Sequence, residues 1–215
     1  MTELFASALH LDRTAVKALK MTDTYSLHRV VYSLFSDERS DTEKNSNVQS
    51  GIVYADQGGD FQHRKVLIVS NRPPATNIDG KYGMVLIKPI SDTFLSHTHY
   101  CFKVQVNPVR KDKKSGKRIA VKGRAAIADW FLKRATDSWG FQVTPQTLQI
   151  EAIDVLRFEG KSGRLVTIGK AHVQGQLTVI NSQQFRNSFK NGIGKGRAFG
   201  CGLLQIVPII DNLFT

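Results

Sequence analysis

Twice along its 215 residues the chain spells one order of elements: strand, helix, two strands, a helical or irregular stretch, and a closing strand. That repetition constrains the fold more than any single motif. In the first half, residues 4–11 read as a strand. Residues 24–35 read as a helix with Asp23 or Thr24 as N-cap and an apolar stripe of Leu27, Val30, Val31 and Leu34. A polar loop is expected over 36–47. Strands over 52–55 and 65–70 form a hairpin around Gly58-Gly59, Arg72-Pro-Pro opens an irregular or short helical stretch, and 84–90 closes the half. In the second half, 100–109 alternates as a strand and 125–139 predicts a helix ending at Gly140. Ile127, Trp130, Phe131 and Arg134 of that helix are placed to face a sheet. Long strands over 147–158 and 164–180 slip phase near Ala152-Ile153 and near Gly169, which suggests bulges. A short helix over 182–191, capped by Ser182, and a strand over 203–209 complete the unit. The order predicts an α+β protein of two tandem ferredoxin-like β-α-β-β-α-β domains, 1–95 and 96–215, a layout that RNA-recognition domains share.

Five glycines fall between Gly192 and Gly202, interleaved with Lys195 and Arg197. Glycine permits positive φ and lets another chain approach the backbone, so this loop suits a polyanion, although a helix C-cap and a tight turn would use glycines too. A phosphate-binding NTPase loop is excluded because Gly196, not Ser or Thr, follows Lys195. A dinucleotide fingerprint is excluded because the loop closes the chain and leads into a strand. Charge favours the polyanion. Residues 1–100 carry 11 Lys/Arg and 11 Asp/Glu, whereas 101–215 carry 19 and 7, so the second half supplies the whole net charge of +12. Such a one-sided field most often serves a nucleic-acid backbone. The run Arg110, Lys111, Lys113, Lys114, Lys117, Arg118 reads as a phosphate-contacting loop or hairpin arm, with Arg157, Lys161 and Arg164 around a second hairpin tip. No apolar run approaches the roughly 20 residues of a membrane span, and two cysteines make no disulfide framework, so a cytoplasmic protein is expected.

On the first helix, Tyr25, His28 and Tyr32 form a second stripe at spacings of three and four. A histidine titrating near neutrality can take a proton from a ribose 2′-hydroxyl or return one to a leaving 5′-oxygen, with a tyrosine orienting the phosphate. Spacing alone favours the plainer alternative, a core-boundary histidine satisfied by a backbone carbonyl. His97, His99 and Cys101 share a strand face, but a fourth ligand at zinc spacing is missing; no metal or other cofactor is expected. Ser-His-Asp hydrolysis lacks a Gly-x-Ser-x-Gly elbow, and acids are scarce where the basic residues gather, which argues against two-metal chemistry.

Several segments taken together resemble one family along nearly the whole chain. They are Tyr25-Ser-Leu-His28 with Leu34-Phe35, Asn107-Pro108 before the basic run, Gly160-Lys-Ser-Gly163, Gly192-Ile-Gly194 and Gly200-Cys-Gly-Leu-Leu204. In this order they are similar to the CRISPR repeat-processing endoribonucleases of type I-E systems, the CasE (Cse3) subunits of Cascade. The resemblance implies metal-independent cutting of precursor CRISPR RNA at the base of the repeat hairpin. His28 falls on the family's catalytic histidine and Tyr25 on its tyrosine partner. It further implies that the product hairpin stays bound and that other Cascade subunits, the backbone subunit among them, are partners. Lys103 and Gln105 depart from the family by standing where arginines are often found, and residues 36–60 lack the expected arginine-aromatic pattern. The competing expectation is a non-catalytic subunit that binds an RNA hairpin.

Overall fold

The computed structural model describes residues 3–36, 50–59, 63–159 and 165–210. Most of the expected polar loop over 36–47, and Lys161 and Arg164 of the second hairpin tip, lie outside the described residues.

The first sheet comprises β1 (Leu4–Asp12), β2 (Ile52–Gly59), β3 (His63–Ser70) and β4 (Met84–Ile90) in the order β2-β3-β1-β4. Every pairing is antiparallel, so the first strand lies between the third and the last, as a ferredoxin-like unit requires. Between β1 and β2 stand α1 (Arg13–Ala18) and α2 (Thr24–Ser33). The short α1 was not anticipated; Asp12 starts it by accepting a hydrogen bond from Ala15 N at 2.7 Å. Asp23 caps α2 in a reciprocal box. Its carboxylate accepts from Ser26 N at 2.7 Å while Ser26 Oγ accepts from Asp23 N at 3.0 Å. Leu27, Val30, Val31 and Leu34 then bury on Leu9, Leu11, Val66 and Ile68 of the sheet. The stretch after Arg72-Pro-Pro forms no helix; it is irregular, with one bridge between Ile78 and Tyr82.

The second sheet is entered through a 3-10 turn, Asp92–Leu95. It contains β5 (His99–Val106), β8 (Phe141–Val143), β9 (Gln149–Glu159), β10 (Leu165–Val179) and β11 (Gln205–Pro208). Its order is β11-β5-β10-β8, with β9 also paired to β10, again wholly antiparallel. A separate hairpin joins β6 (Val109–Lys111) to β7 (Arg118–Ala120). The helices are α3 (Arg124–Arg134), extended by a π turn over Ala135–Trp139, and α4 (Ser182–Asn191).

Several sequence expectations shift here. The strand expected from 147 begins at Gln149 because Pro145–Thr147 makes a 3-10 turn, and the closing strand covers Gln205–Pro208 only. The cap of α4 is Asn181, not Ser182: the Asn181 side chain accepts from Gln184 N at 3.0 Å. Arg134 is exposed and lies 5.9 Å over the Trp139 ring rather than facing the sheet. One register shift occurs between His172 and Val173, opposite the expected slip near Ala152; Gly169 pairs regularly with Val155.

The two sheets share hydrocarbon. Ile127, Phe131, Phe185 and Phe189 of the helices pack on Tyr100, Phe102 and Val104, and the same cluster continues into Val53, Ala55 and Val69 of the first sheet. Phe102 and Phe131 stack at 5.6 Å with rings 4° apart. Thus the first sheet is covered by α2 on one face and by the second unit on the other. Among the described residues no helix is long and apolar enough to cross a membrane.

Candidate nucleic-acid interface

The apolar stripe of α2 fixes what its neighbouring stripe faces. With Leu27, Val30 and Val31 buried, the neighbouring stripe of Tyr25, His28 and Tyr32 emerges half-buried at the helix edge. The His28 ring lies 4.2 Å from that of Tyr32 and 6.4 Å from that of Tyr25. A third ring, Phe199 of the glycine-rich loop, approaches to 6.4 Å and itself packs at 4.8 Å on Phe158 of β9. The imidazole therefore stands where α2, β9 and the loop converge. Tyr32 is more tightly placed than Tyr25, because its hydroxyl is 2.8 Å from Ser50 Oγ. Among the described residues the Tyr25 hydroxyl has no hydrogen-bond partner, which leaves it available to a ligand.

The loop itself is a built structure. Gly192, Gly194, Gly196, Gly200 and Gly202 all take positive φ, between 71° and 90°. At Gly202 a Cβ would stand 2.4 Å from Ile193 O, so the two passes of the loop close only around bare backbone. Gly202 N donates to Gln105 O at 2.7 Å and Ile193 N donates to Gly202 O at 2.9 Å. From the first sheet, the Tyr54 hydroxyl donates to Ala198 O at 2.7 Å, and Gln105 Nε2 donates to Asp56 O at 3.1 Å. Burial pushes the Tyr54 phenol far above its ordinary pKa, so it stays a neutral donor throughout the physiological range. Arg197 donates to Asn191 O at 2.7 Å, and its stem lies over Gly192 and Gly202, so part of this cation serves the loop.

Lys195, four residues before Phe199, is exposed and pairs in an isolated bridge with Asn107. It lines a groove of about 950 Å³ between the β6–β7 hairpin and α3. Arg110, Lys111 and Arg118 line the hairpin side, and Lys122, Lys133 and Arg134 the helix side; Asp129 is the only acid among the lining residues. Seven cations against one acid line a positive trough, with Lys133 also paired to Asp137 at 3.0 Å. Four of them were expected from the sequence. Lys122, Lys133 and Arg134 were missed because they lie outside the dense basic run, Lys122 just before α3 and the other two in its last turn; they could have been flagged only once the helix was known to border the hairpin. Lys113, Lys114 and Lys117 do not line the groove but occupy the exposed hairpin turn, which Asp112 organises by accepting from Ser115 N and Oγ. These hydrogen bonds from Ser115 also hold the Asp112 carboxyl below its usual pKa. Arg157 is exposed on β9, and strand alternation sets it on the face opposite Phe158. His97, His99 and Cys101 do not converge: His97 meets the Tyr100 ring and His99 Nδ1 bonds Thr178 Oγ1 at 3.1 Å. Among the described residues no group of three potential metal ligands forms.

Comparison with known proteins follows the same outline. A family model described as CRISPR associated protein matches residues 4–208. The CRISPR-associated endoribonuclease Cse3 of Thermus thermophilus is 27% identical over 146 residues, 63% of this chain and 69% of the relative. The CRISPR system Cascade subunit CasE of Escherichia coli is 20% identical over 212 residues, 94% and 100% of the two chains. A solved structure of CRISPR endoribonuclease Cse3 bound to a 19-nucleotide RNA superposes with a TM-score of 0.79 at 22% identity, covering 96% of this chain and 100% of that one. The superposition establishes the tandem ferredoxin-like fold.

Proposed function

The chain belongs to the CRISPR associated protein family, and from that premise we propose that it is a metal-independent endoribonuclease that cuts precursor CRISPR RNA at the base of the repeat hairpin. The observation that carries this reading is one loop with two contacts. Its Lys195 borders the cationic groove and its Phe199 borders the His28 imidazole. Four residues of chain span at most roughly 14 Å, so a stem held in the groove would end within reach of the histidine. The first half is electrically neutral and supplies the His28 imidazole, while the second half supplies the excess cations, and the glycine-rich loop stands where the two meet.

In the reaction the 2′-hydroxyl beside the scissile phosphate attacks phosphorus. The O2′–P bond forms, the P–O5′ bond breaks, and the products are a 2′,3′-cyclic phosphate and a free 5′-hydroxyl. His28 takes the 2′-proton or returns a proton to the 5′-oxygen, and Tyr25 aligns the phosphate through its hydroxyl. Tyr32 and Phe199 hold the imidazole at a fixed tilt between them. Arg110, Lys111, Arg118 and Lys195 grip the stem, with Lys113, Lys114, Lys117, Arg157, Lys161, Arg164 and Arg197 contributing further phosphate contacts. The cut hairpin stays bound, and the protein joins the other Cascade subunits, the backbone subunit among them, through it.

Purified protein incubated with a repeat hairpin in EDTA tests the proposal. Cutting at the stem base with a cyclic phosphate end, abolished in His28→Ala with binding retained, is the expected result. Intact but bound RNA would leave a hairpin-binding subunit without chemistry. Undiminished cutting by His28→Ala would remove the histidine from the mechanism.

A further inference from the structure

We infer that Tyr54 is a positioning residue for the cut: it holds the turn that carries Phe199 against His28, although it lies too deep to touch RNA. The inference rests on the nuclease reading above and adds to it a residue of β2 that no sequence motif singled out. Tyr54 is 0% exposed and packs in the same core cluster as Leu27, Val30 and Val31, the stripe of α2 that fixes His28. Its hydroxyl leaves that cluster and donates to Ala198 O at 2.7 Å, one residue before Phe199. One side chain therefore references the helix bearing the imidazole and the ring beside the imidazole to each other.

The turn needs such a tether. Arg197–Phe199 is a single 3-10 turn bounded by Gly196 and Gly200, both left-handed, at φ 81° and 76°. Its own bonds, Phe199 N to Gly196 O at 2.9 Å and Gly200 N to Arg197 O at 3.2 Å, fix its shape. They do not fix its place, because a glycine on either side leaves the backbone many alternative torsions. Other bonds hold the base of the loop. Arg197 donates to Asn191 O at 2.7 Å and Gly202 N to Gln105 O at 2.7 Å, while Gln105 Nε2 donates to Asp56 O at 3.1 Å, two residues along β2 from Tyr54. These bonds set the base and β2 against β5. The Tyr54 hydroxyl sets the tip of the loop on the first unit, and its ring lies beside Gly200, where a Cβ would stand 3.4 Å from Tyr54 Cε2.

The role is geometric. The hydroxyl is committed to a backbone carbonyl and the residue is fully buried, so Tyr54 exchanges no proton with the ribose itself. Burial keeps the phenol protonated, so the tether holds across the whole range in which an imidazole titrates. Tyr54→Phe keeps the ring and deletes only the donor. The turn would then rest on the contact of Phe199 with Phe158 at 4.8 Å, which limits its drift without fixing the 6.4 Å approach to His28. A misplacement of about 1 Å can cost a reaction up to roughly a hundredfold, so a partial drift should cost about tenfold.

The test compares Tyr54→Phe with Tyr100→Phe in the full chain. Tyr100 is equally buried and donates to Phe94 O at 2.8 Å, a bond of the same kind. It stands five residues from Gln105 along β5, roughly 17 Å away. Its hydroxyl also accepts from His97 N at 3.1 Å, so Tyr100→Phe loses at least as much hydrogen bonding. Single-turnover cutting of a repeat hairpin should slow about tenfold in Tyr54→Phe with hairpin Kd unchanged, and should keep the wild-type rate in Tyr100→Phe. The proton resonance of the His28 imidazole, assigned by its loss in His28→Ala, should shift in Tyr54→Phe and stay in place in Tyr100→Phe. Tyr54→Phe/Phe199→Ala should cut no more slowly than Phe199→Ala alone, since the tyrosine acts through the phenylalanine. The inference is overturned if Tyr54→Phe cuts at the wild-type rate, if its His28 resonance does not move, if Tyr100→Phe slows equally, or if the double variant multiplies the two losses. A wild-type protein that leaves the hairpin uncut would refute the nuclease reading and the inference with it; any of the four results obtained with a wild type that cuts refutes the inference alone.

Discussion

Substituting Gly202 by alanine isolates what the glycine-rich loop contributes, provided Gly194 is substituted in parallel. Both residues lie at positive φ, 90° and 71° respectively, so each alanine incurs the left-handed backbone penalty of about 1–2 kcal/mol. They differ in their surroundings. At Gly194 nothing stands within 4 Å of the added methyl, whereas at Gly202 it would lie 2.4 Å from Ile193 O. Relieving that clash means separating the two passes of the loop, which breaks the bond from Ile193 N to Gly202 O and strains the one from Gly202 N to Gln105 O. At about 1 kcal/mol net for each, Gly202→Ala should cost about 3–4 kcal/mol and Gly194→Ala about 1–2. Urea unfolding followed by fluorescence of Trp130 and Trp139 measures the difference. Cutting under single-turnover conditions should fall at least about tenfold further in Gly202→Ala, because the displaced loop takes Phe199 away from His28. Equal losses of stability in the two variants would refute the argument, since only the backbone penalty would then be at work.

Four further outcomes are expected. Tyr32→Leu removes the ring 4.2 Å from the imidazole and should slow cutting about tenfold or more with RNA affinity unchanged, while Tyr32→Phe, which loses only the contact to Ser50, should cost about 1 kcal/mol of stability and little rate. Lys122→Ala/Lys133→Ala should weaken hairpin binding and reduce its salt slope by about 1.8, as two duplex phosphate contacts would; an unchanged slope removes the helix side from the interface. Burial pushes the Cys201 thiol up to about 11 from 9.0. Above pH 9 the unfolded chain therefore loses a proton that the folded chain keeps, and stability should fall by roughly 2–3 kcal/mol as pH rises from 9 to 11, less steeply in Cys201→Ala. In the native protein a thiol reagent should modify exposed Cys101 rapidly and Cys201 only on unfolding.

The sheet order was legible because local periodicity and turn chemistry agree with it. The stripe of Leu27, Val30, Val31 and Leu34 has no competing reading, and it placed His28 correctly at the helix edge. What escaped was set by tertiary context. Asn181 and Ser182 are both competent caps, and only the direction of the chain leaving Val179 selects Asn181. Arg134 continues the apolar spacing of α3, but the helix widens into a π turn just beyond it, which carries Trp139 inward and leaves the guanidinium outside. The same limit applies to the site. Tyr25 and Tyr32 are equivalent in spacing from His28, and the Ser50 contact that distinguishes them comes from 18 residues away. Lys122 and Lys133 join the groove only because β6–β7 folds beside α3.

The pairing of β11 with β5 has a consequence for biogenesis. All four strands of the first sheet lie within residues 4–90, so they can pair while the second unit, which covers one face of that sheet, is still being translated. The His28 imidazole, however, lacks the wall formed by Phe199 until the second unit has been made, because that wall is anchored between Gln105 and a strand that ends at Pro208. A nascent chain would thus carry His28 well before the loop that walls it exists, and the two would meet only once β11 is laid against β5.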